Sequence, residues 1–353
     1  MIEAFKKYYQ EEKEILNKKI NNYNENLIKE DNSIIKENME YFSKLNTNGK
    51  LVRGVLVDLG YYLLKDNKEY STSLALAYEV FQTAILVHDD IIDEDEKRRG
   101  VNTIHFENYN KYKEYDETSS KHLGDSIAIC MGNFGLFESI KIISTAYKDD
   151  PNLSKVLNNF IDTALNTVRG EILDVVLPFE SKNKLVDLNT LDKSIMDIYR
   201  LKTAYYTIIG PMSVGLILAG SDEEKLKDIS SFGEKVGIAF QIQDDILGIY
   251  SDEMGKVIGS DIKEFKQTIL YSHISKTEYI NELEKYYGKE IDTNSINKVR
   301  ELFKISGSLD YAVNMMNKLY DESINELNNI NWIDLDKKNI LIGFVDYLRN
   351  RNK

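Results

Sequence analysis

Hydrophobic residues recur every three to four positions along most of the 353-residue chain. Within residues 73–92, Leu74, Ala77, Phe81 and Ala84 follow this spacing, and other apolar side chains fill the flanks. Such a pattern is typical of a helix that is buried over most of its surface. Similar patterns predict helices over residues 153–174, 191–218, 223–250, 296–327 and 338–349, with polar breaks at 65–71, 108–120, 148–152, 181–189 and 251–260.

The composition also favours an all-α fold. The chain has three prolines and 19 glycines, fewer than the turns of a sheet-rich protein of this length usually need. None of the polar breaks is a long Gly/Ser or Pro linker. We therefore predict one large helical domain over residues 1–353, in which residues 1–40 are an N-terminal helical extension.

Charge and cysteine content narrow the class of protein. The net charge of −13 argues against a general binder of nucleic acid or anionic membranes. The single Cys130 excludes an internal disulfide framework and a multi-cysteine metal site. The uncharged run 203–221 has the length of a membrane span, but its Tyr, Thr, Ser, Pro and Gly residues favour a buried helix. The N-terminus lacks the apolar core of a secretory signal, so we predict a cytoplasmic protein without stable membrane insertion.

Acidic residues cluster where the helix predicted at 73–92 ends. Six of the eight residues that begin at Asp89 are carboxylates, and Arg98 and Arg99 follow them. On a helix Asp89 and Asp93 share a face and Asp90 lies beside them, so their charges repel. Mg²⁺ would remove this repulsion and would bind phosphate oxygens at the same time, with the two arginines gripping the phosphates. A solvated helix face is the alternative.

A second acidic pair, Asp244 and Asp245, follows the apolar run 236–242. Two apolar helices that both end in Asp-Asp are unusual in one chain. If they face each other across a bundle, they could hold several Mg²⁺ ions around one polyphosphate. Lys256 and Lys266 follow at distances that suit a basic flap. Two unrelated helix ends remain the alternative.

With these motifs in this order, the chain resembles the trans-isoprenyl diphosphate synthases, the family of farnesyl and geranylgeranyl diphosphate synthases. The resemblance extends from about residue 45 to the C-terminus. The matching segments are Gly49–Gly54 (GKLVRG), Gln82, Asp89–Asp93 with Arg98-Arg99-Gly100, Gly124-Asp125, Lys202-Thr203, Phe240–Asp245 (FQIQDD), Gly255-Lys256 with Asp261 and Lys266, and the closing FVDYLRNRNK. Three positions depart from the family pattern: Gly248 replaces a third Asp, Glu171 replaces a Gln and Gln267 replaces a Pro.

The resemblance implies a helical bundle with a central cavity for diphosphate and Mg²⁺, and a 1′-4 head-to-tail condensation of isopentenyl diphosphate with an allylic diphosphate (dimethylallyl, geranyl or farnesyl). About three Mg²⁺ ions per active site are implied, with Asp89, Asp90, Asp93, Asp244 and Asp245 as ligands. The residues implied to bind substrate are Lys50, Arg53, Gln82 and Arg99 for isopentenyl diphosphate, Arg98 and Lys266 for the departing diphosphate, and Lys256 in the flap. Lys202, Thr203 and Gln241 are implied as catalytic residues: Lys202 adds positive charge to the leaving group, and the other two place oxygens near the carbocation.

Product length in such a fold depends on the floor of the tunnel below the first motif. Ala84 and Ile85 precede Asp89 by five and four residues, one helical turn beneath the cation. Ala84 leaves room, and Phe81 could form a deeper floor. We therefore expect geranylgeranyl diphosphate as the product, with farnesyl diphosphate next.

Two other functions fit the same fold. A terpene synthase would keep the metal ligands but would lose the isopentenyl diphosphate site, and the retained Lys50, Arg53 and Arg99 argue against it. A catalytically silent regulatory subunit of a hetero-oligomeric synthase would be expected to lose its Asp motifs, and these are intact apart from Gly248. The family resemblance also implies a homodimer.

Overall fold

The computed structural model describes residues 1–47, 49–250, 259–290 and 292–351. Helices make up almost all of the regular structure in these residues, and a single hairpin of two-residue strands is the exception. The predicted all-α fold is confirmed. Lys256, which the sequence places in a basic flap, lies outside the described residues.

The chain divides into two compact units. The N-terminal unit comprises residues 7–158 and 214–221, and the C-terminal unit comprises residues 1–6, 159–213 and 222–353. The organisation as one domain stays a prediction.

The N-terminal unit contains most of α1 and the chain that follows it to the start of α7. Its elements are α1 (Ile2–Leu27), α2 (Ser33–Thr47), α3 (Val52–Tyr62), a 3₁₀ turn (Lys68–Tyr70), α4 (Thr72–Ile92), β1 (Lys97–Arg98), β2 (Val101–Asn102), α5 (Ile104–Tyr112) and α6 (Glu117–Ala146).

Helix α4 is the core of this unit, as its apolar pattern predicts. Every residue from Leu74 to Phe81 is buried, and α3 and α6 pack against the helix. Helix α6 approaches closely because it has glycine where the two helices meet: a Cβ on Gly135 would lie 2.8 Å from the Cβ of Ala84. The acidic motif thus lies at the end of a helix that is buried over most of its first half.

The C-terminal unit contains most of α7 and the elements after it. They are α7 (Leu153–Lys182), α8 (Leu188–Ile198), a π-helix (Tyr199–Ile209), α9 (Gly210–Leu218), α10 (Glu223–Tyr250), α11 (Ser260–Lys263), α12 (Ile269–Ile274), α13 (Ile280–Leu283), α14 (Thr293–Ile305), α15 (Ser308–Asn329) and α16 (Leu335–Arg349). The last residues of α9 belong to the N-terminal unit.

The π-helix is the main departure from the predicted elements in this unit. Periodicity predicts a continuous helix over residues 191–218, but Tyr199–Ile209 has the wider π geometry. A π turn is uncommon and is often found at functional sites. Glycines on both sides admit this segment: a Cβ on Gly170 of α7 would lie 2.5 Å from the Lys202 nitrogen, and one on Gly237 of α10 would lie 2.4 Å from the Ala204 Cα.

Three other boundaries differ from the prediction. The helix expected over 296–327 is two helices, because Gly307 takes a left-handed conformation with φ 75° between α14 and α15. Helix α7 continues beyond Asp174, through Pro178, to Lys182. Much of the break expected at 108–120 is helical, since α5 ends at Tyr112 and α6 begins at Glu117.

Among the residues that the structure describes, two helical segments have the length and hydropathy of a membrane span, Glu117–Ala146 and Leu188–Leu218. The most apolar part of the second segment is 83% buried, which agrees with the buried helix predicted for this region. The most apolar part of the first is 33% buried.

Candidate active site

The first acidic motif forms an ion-pair cluster with Arg98 at the end of α4. The Arg98 Nε lies 2.5 Å from Asp90 Oδ1, and its Nη2 lies 3.1 Å from Asp89 Oδ2 and 2.9 Å from Asp95 Oδ2. Asp93 ends the helix, and its backbone nitrogen donates to the Asp89 carbonyl at 2.8 Å. Arg98, one of the predicted phosphate-binding arginines, thus lies among two of the predicted carboxylates, Asp89 and Asp90, and the neighbouring Asp95.

A tight turn between β1 and β2 places Arg98 and Arg99. The strands pair antiparallel with Arg98 opposite Val101, so Arg99 and Gly100 form the loop. Both have positive φ, 54° and 81°, as a type I′ turn requires, and glycine is favoured at such a position. The Arg98 side chain points to the carboxylates at the end of α4. The Arg99 Nη1 donates instead to the Leu45 carbonyl of α2 at 2.8 Å.

Gln82 lies between two of the predicted substrate-binding arginines. With its amide oxygen toward them, Gln82 accepts from Arg53 Nη1 at 2.8 Å and from Arg99 Nη2 at 2.9 Å. Lys50 is exposed just before α3, and its carbonyl accepts from the Tyr9 hydroxyl. A shallow surface depression lies beside these residues and is lined by Leu45, Thr83, Leu86, Arg98 and Arg99.

The first cluster has the donor chemistry of a divalent metal site. Asp90 is 1% exposed, and its buried Oδ2 has no hydrogen-bond partner among the described residues. Burial raises the pKa of this carboxyl to about 7, although the Arg98 guanidinium opposes the shift. In the described part of the chain, no three His, Cys, Asp or Glu side chains already surround a metal position. Arg98 supplies the positive charge that a cation would otherwise provide.

The predicted chain-length residues lie on α4 below this cluster. Phe81 and Ala84 are fully buried, and Ile85 is half-buried. The Phe81 ring packs edge-on against Tyr78 with 6.2 Å between the ring centroids. Ala84 faces Gly135 of α6, so a larger side chain at position 84 would press directly on that helix.

In the C-terminal unit, a hydrogen-bonded chain joins the π-helix to the second acidic motif. The Thr203 Oγ1 donates to Gln241 Oε1 at 2.5 Å, and the Gln241 Nε2 donates to Asp245 Oδ1 at 2.9 Å. The Tyr199 hydroxyl donates to the other oxygen of Asp245 and accepts from the Ile269 nitrogen at 2.9 Å. Burial raises the pKa of Asp245 to about 8 despite these donors. Both Asp245 oxygens are thus engaged by the protein.

Asp244 has a different environment from Asp245. It is partly exposed and forms an ion pair with Arg351, whose guanidinium carbon lies 4.7 Å from the Phe240 ring centroid. Lys202 forms ion pairs with Glu171 at 2.8 Å and Asp174 at 2.6 Å. Glu171, a departure from the family pattern, therefore adds a negative charge beside Lys202.

The two remaining positions that the sequence analysis singled out, Lys266 and Gln267, follow residues 251–258, which lie outside the described part of the chain. The Lys266 Nζ lies 3.3 Å from Glu264 Oε2. The side chain of Gln267 is buried and donates to the Phe265 carbonyl at 2.8 Å. This buried amide stands where a Pro is common in the family pattern.

Where the family pattern has a third Asp in the second motif, this chain has Gly248, and the carboxylate of another residue lies beside it. A Cβ on Gly248 would lie 2.7 Å from Asp261 Oδ2, so the Asp261 carboxylate occupies the space that a side chain at position 248 would need. A glycine at position 248 is therefore compatible with an acidic group at this place, supplied by another part of the chain.

We expect Gly248→Asp to destabilise the protein in metal-free buffer, because it places a second carboxylate beside that of Asp261, whose side chain must also move aside. Repulsion between two such charges costs about 1 kcal/mol or more. Thermal unfolding measured with and without Mg²⁺ checks this, and Gly248→Ala isolates the steric part. A Gly248→Asp protein as stable as the original in metal-free buffer would contradict the assignment.

Comparison with known proteins identifies the chain. The sequence model of the family described as polyprenyl synthetase matches residues 32–306. A geranylgeranyl diphosphate synthase of Sulfolobus acidocaldarius is 31% identical over 293 residues, which are 80% of this chain and 81% of that protein. The chain belongs to the polyprenyl synthetase family.

Further similarities agree with this assignment. A short chain isoprenyl diphosphate synthase of Methanocaldococcus jannaschii is 28% identical over 76% of each chain. A crystal structure of geranylgeranyl pyrophosphate synthase from Corynebacterium glutamicum, complexed with isoprenyl diphosphate and magnesium, superposes with a TM-score of 0.86. That match has 21% identity, covers 98% of this chain and 99% of the other, and shows the fold. The predicted family and prenyltransferase class are confirmed.

Several contacts in this polyprenyl synthetase were not predicted as parts of the site. They involve Asp95, Asp174, Tyr199, Asp261 and Arg351. Asp95 lies inside the acidic run, Asp261 inside a segment that matches the family pattern and Arg351 inside the closing FVDYLRNRNK, so all three were within reach of sequence reasoning. Tyr199 follows no spacing rule relative to the Asp pair, and only the packing of distant segments brings it and Arg351 to that pair.

Proposed function

We propose that this chain condenses isopentenyl diphosphate with an allylic diphosphate in a Mg²⁺-dependent 1′-4 elongation that gives geranylgeranyl diphosphate. The observation that carries the proposal is the pairing of cations in the N-terminal unit. Arg98 is paired with metal-type carboxylates, whereas Arg53 and Arg99 meet at the neutral amide of Gln82. One site thus suits a diphosphate that brings magnesium and ionises, and the other suits a diphosphate that does not.

Asp89, Asp90, Asp93 and Asp244 would hold about three Mg²⁺ ions, with Asp245 supporting them. When bound, these ions supply Lewis acidity that stabilises the departing diphosphate. The unsatisfied, buried Oδ2 of Asp90 supports this ligand role. We assign Arg98, Lys202 and Lys266, with Lys256 from outside the described residues, to binding of the same diphosphate.

The remaining residues protect and direct the reaction. Lys50, Arg53 and Arg99 bind the isopentenyl diphosphate through charge alone, so that this substrate does not ionise. Thr203 and Gln241 present oxygens whose positions their hydrogen bond at 2.5 Å fixes. Exclusion of water prevents quenching of the carbocation to an alcohol. The released diphosphate takes the proton in the final step.

One assay separates this function from its alternatives. The protein is incubated with Mg²⁺ and isopentenyl diphosphate plus each of the three allylic diphosphates, and separately with Mg²⁺ and geranylgeranyl diphosphate, and the products are identified by mass spectrometry. We expect elongation to geranylgeranyl diphosphate. Hydrocarbon released from geranylgeranyl diphosphate, without elongation, would indicate a terpene synthase. Absence of both reactions would indicate a regulatory subunit.

We expect Ala84→Phe to shorten the product to farnesyl diphosphate. Ala84 is fully buried against Gly135, so a Phe side chain must fill the space below the first motif or displace α6. The same overpacking should lower stability by about 1–3 kcal/mol. Product analysis checks the first effect and urea unfolding the second, with Ala84→Ser as the control of nearly unchanged volume. Unchanged product length in Ala84→Phe would show that Ala84 does not line the tunnel.

We also propose that the chain forms a cytoplasmic homodimer through an exposed apolar stripe on α7. Its members recur at alternating spacings of four and three residues, as in helices that pair. They are Ile161, Leu165, Val168, Ile172, Val175 and Phe179. Light scattering should give the mass of a dimer, and Ile172→Glu should give a monomer. Tyr115→Glu, at an exposed aromatic residue elsewhere, should leave the dimer intact. A monomeric parent protein would contradict the proposal.

A further inference from the structure

A buried carboxylate in the N-terminal unit is not used by the function proposed above. Glu79 lies on α4 and is 2% exposed. Its Oε1 accepts from the Gly54 backbone nitrogen at 2.7 Å. Burial raises the pKa of the Glu79 carboxyl, while the Gly54 amide and the Arg53 and Arg99 guanidiniums act against this shift. A buried acid is costly, so its presence on this buried stretch of α4 calls for a role.

Glu79 determines which way the Gln82 amide points. The two residues are three apart on α4 and therefore share a face. The Gln82 nitrogen donates to Glu79 Oε2 at 3.0 Å, and the Gln82 oxygen accepts from Arg53 and Arg99. In the reverse orientation, the amide oxygen would face a carboxylate and the amide nitrogen would face two guanidiniums. Since a carboxylate only accepts and a guanidinium only donates, the reverse orientation has no hydrogen bonds.

The backbone near Gly54 fits the same arrangement. A Cβ at this position would lie 3.1 Å from the Glu79 Cγ and 2.4 Å from the Leu16 Cδ2, so glycine allows α3 to approach Glu79. Arg53 precedes Gly54 in the same turn of α3. Glu79 thus holds the start of α3 through one oxygen and Gln82 through the other.

We propose that Glu79 is a positioning residue that acts through Gln82: it fixes the amide so that its oxygen gathers Arg53 and Arg99 at the isopentenyl diphosphate site. This inference rests on the proposed function, because that function assigns the two arginines to isopentenyl diphosphate. A neutral amide suits this position better than a carboxylate in direct contact with the two arginines would. It draws the two guanidiniums together without placing a negative group where the diphosphate must bind.

The test compares Glu79→Gln with the parent protein by calorimetric binding of isopentenyl diphosphate and by steady-state kinetics. The amide introduced by this substitution can accept from Gly54 through its oxygen and turn its nitrogen toward Gln82, which then reverses. We expect the Kd and KM for isopentenyl diphosphate to rise about tenfold, which is the size of one misdirected buried hydrogen bond. The KM for the allylic substrate and kcat should change less than about threefold.

A double-mutant cycle separates this role from simple anchoring of α3. In a Gln82→Ala background, Glu79→Gln should add little to the Kd for isopentenyl diphosphate, because there is no longer an amide to orient. Additive effects would overturn the proposal and would leave Glu79 an anchor for Gly54. Asp58→Asn is the matched control: Asp58 is a buried acid on α3 that accepts from Ser71, and its loss should lower stability without changing this Kd.

The remaining outcomes are also decisive. If Glu79→Gln does not fold, Glu79→Met provides the comparison, since a side chain of similar length without oxygen atoms leaves both Gly54 and Gln82 without their acceptor; an unchanged Kd in that variant would overturn the proposal. A parent protein that binds isopentenyl diphosphate but forms no product would contradict the proposed function alone, and the Kd values would still decide the role of Glu79. A parent protein that does not bind isopentenyl diphosphate would overturn both.

Discussion

Replacing Asp89 with Asn is expected to lower kcat/KM by about 10³-fold, equivalent to about 4 kcal/mol of transition-state stabilisation. Asp89 lies in the last turn of α4, 3.1 Å from the Arg98 Nη2. The substitution keeps the shape of the side chain but removes one charge from the proposed metal site. Stability in metal-free buffer should change little, because Arg98 keeps its ion pairs with Asp90 and Asp95. The effect should therefore appear in catalysis and Mg²⁺ dependence, and not in folding.

The measurement is product formation over a range of Mg²⁺ concentrations, together with thermal unfolding. The Mg²⁺ concentration for half-maximal rate should rise in Asp89→Asn. Glu94→Gln is the matched control, since Glu94 lies in the same acidic run but is exposed and pairs with Lys121 at the surface. Near-normal activity in Asp89→Asn, with an unchanged Mg²⁺ requirement, would exclude Asp89 as a ligand.

The positions of the helices can be predicted from the sequence more accurately than the contacts between them. The apolar spacing of residues 73–92 predicts α4 to within a residue, because burial of that helix depends on its own side chains. The π-helix could not be predicted in the same way. Its residues are as apolar and as evenly spaced as those of an α-helix, and its geometry depends on Gly170 and Gly237 in other helices.

The candidate site shows the same division. Asp89, Asp90 and Arg98 are close in sequence, so their clustering follows from one helix and one short turn. The pairing of Arg351 with Asp244 joins positions 107 residues apart, and nothing in either segment specifies the other. Glu79 is an intermediate case. Its spacing from Gln82 is visible in the sequence, but its role depends on two arginines brought to Gln82 by α3 and by the β-turn.

Replacing Gly237 with Ala should impair both stability and activity, whereas the same change at Gly233 should do neither. Both glycines lie on α10 against the π-helix, one turn apart. A Cβ on Gly233 would lie 3.0 Å from Ile209 Cγ1 and 3.3 Å from Ile208 Cγ2, side-chain contacts that a shift of a few tenths of an ångström relieves. A Cβ on Gly237 lies 2.4 Å from the Ala204 Cα, which belongs to the backbone and cannot move alone.

The two variants are expected to differ in the free energy of unfolding. Alanine in a helix interior gains up to about 1 kcal/mol over glycine, while overpacking costs about 1–3 kcal/mol. We therefore expect no loss of stability in Gly233→Ala and a net loss of about 1–2 kcal/mol in Gly237→Ala. Urea unfolding measures both. Equal stability of the two variants would mean that the approach of α10 to the π-helix is looser than 2.4 Å implies.

The effect on activity follows from the position of Gly237 one turn before Gln241. A shift of α10 away from the π-helix lengthens the hydrogen bond of 2.5 Å between Thr203 and Gln241, and with it moves the oxygens proposed to lie near the carbocation. We expect kcat to fall about tenfold or more, since misplacement of about 1 Å in such a site has a large effect on rate. Adding Ala204→Gly to Gly237→Ala should restore only part of the activity. It removes the Ala204 Cβ but leaves the Cα at 2.4 Å, so full recovery would show that side-chain crowding alone, and not the backbone, limits the approach of the two helices.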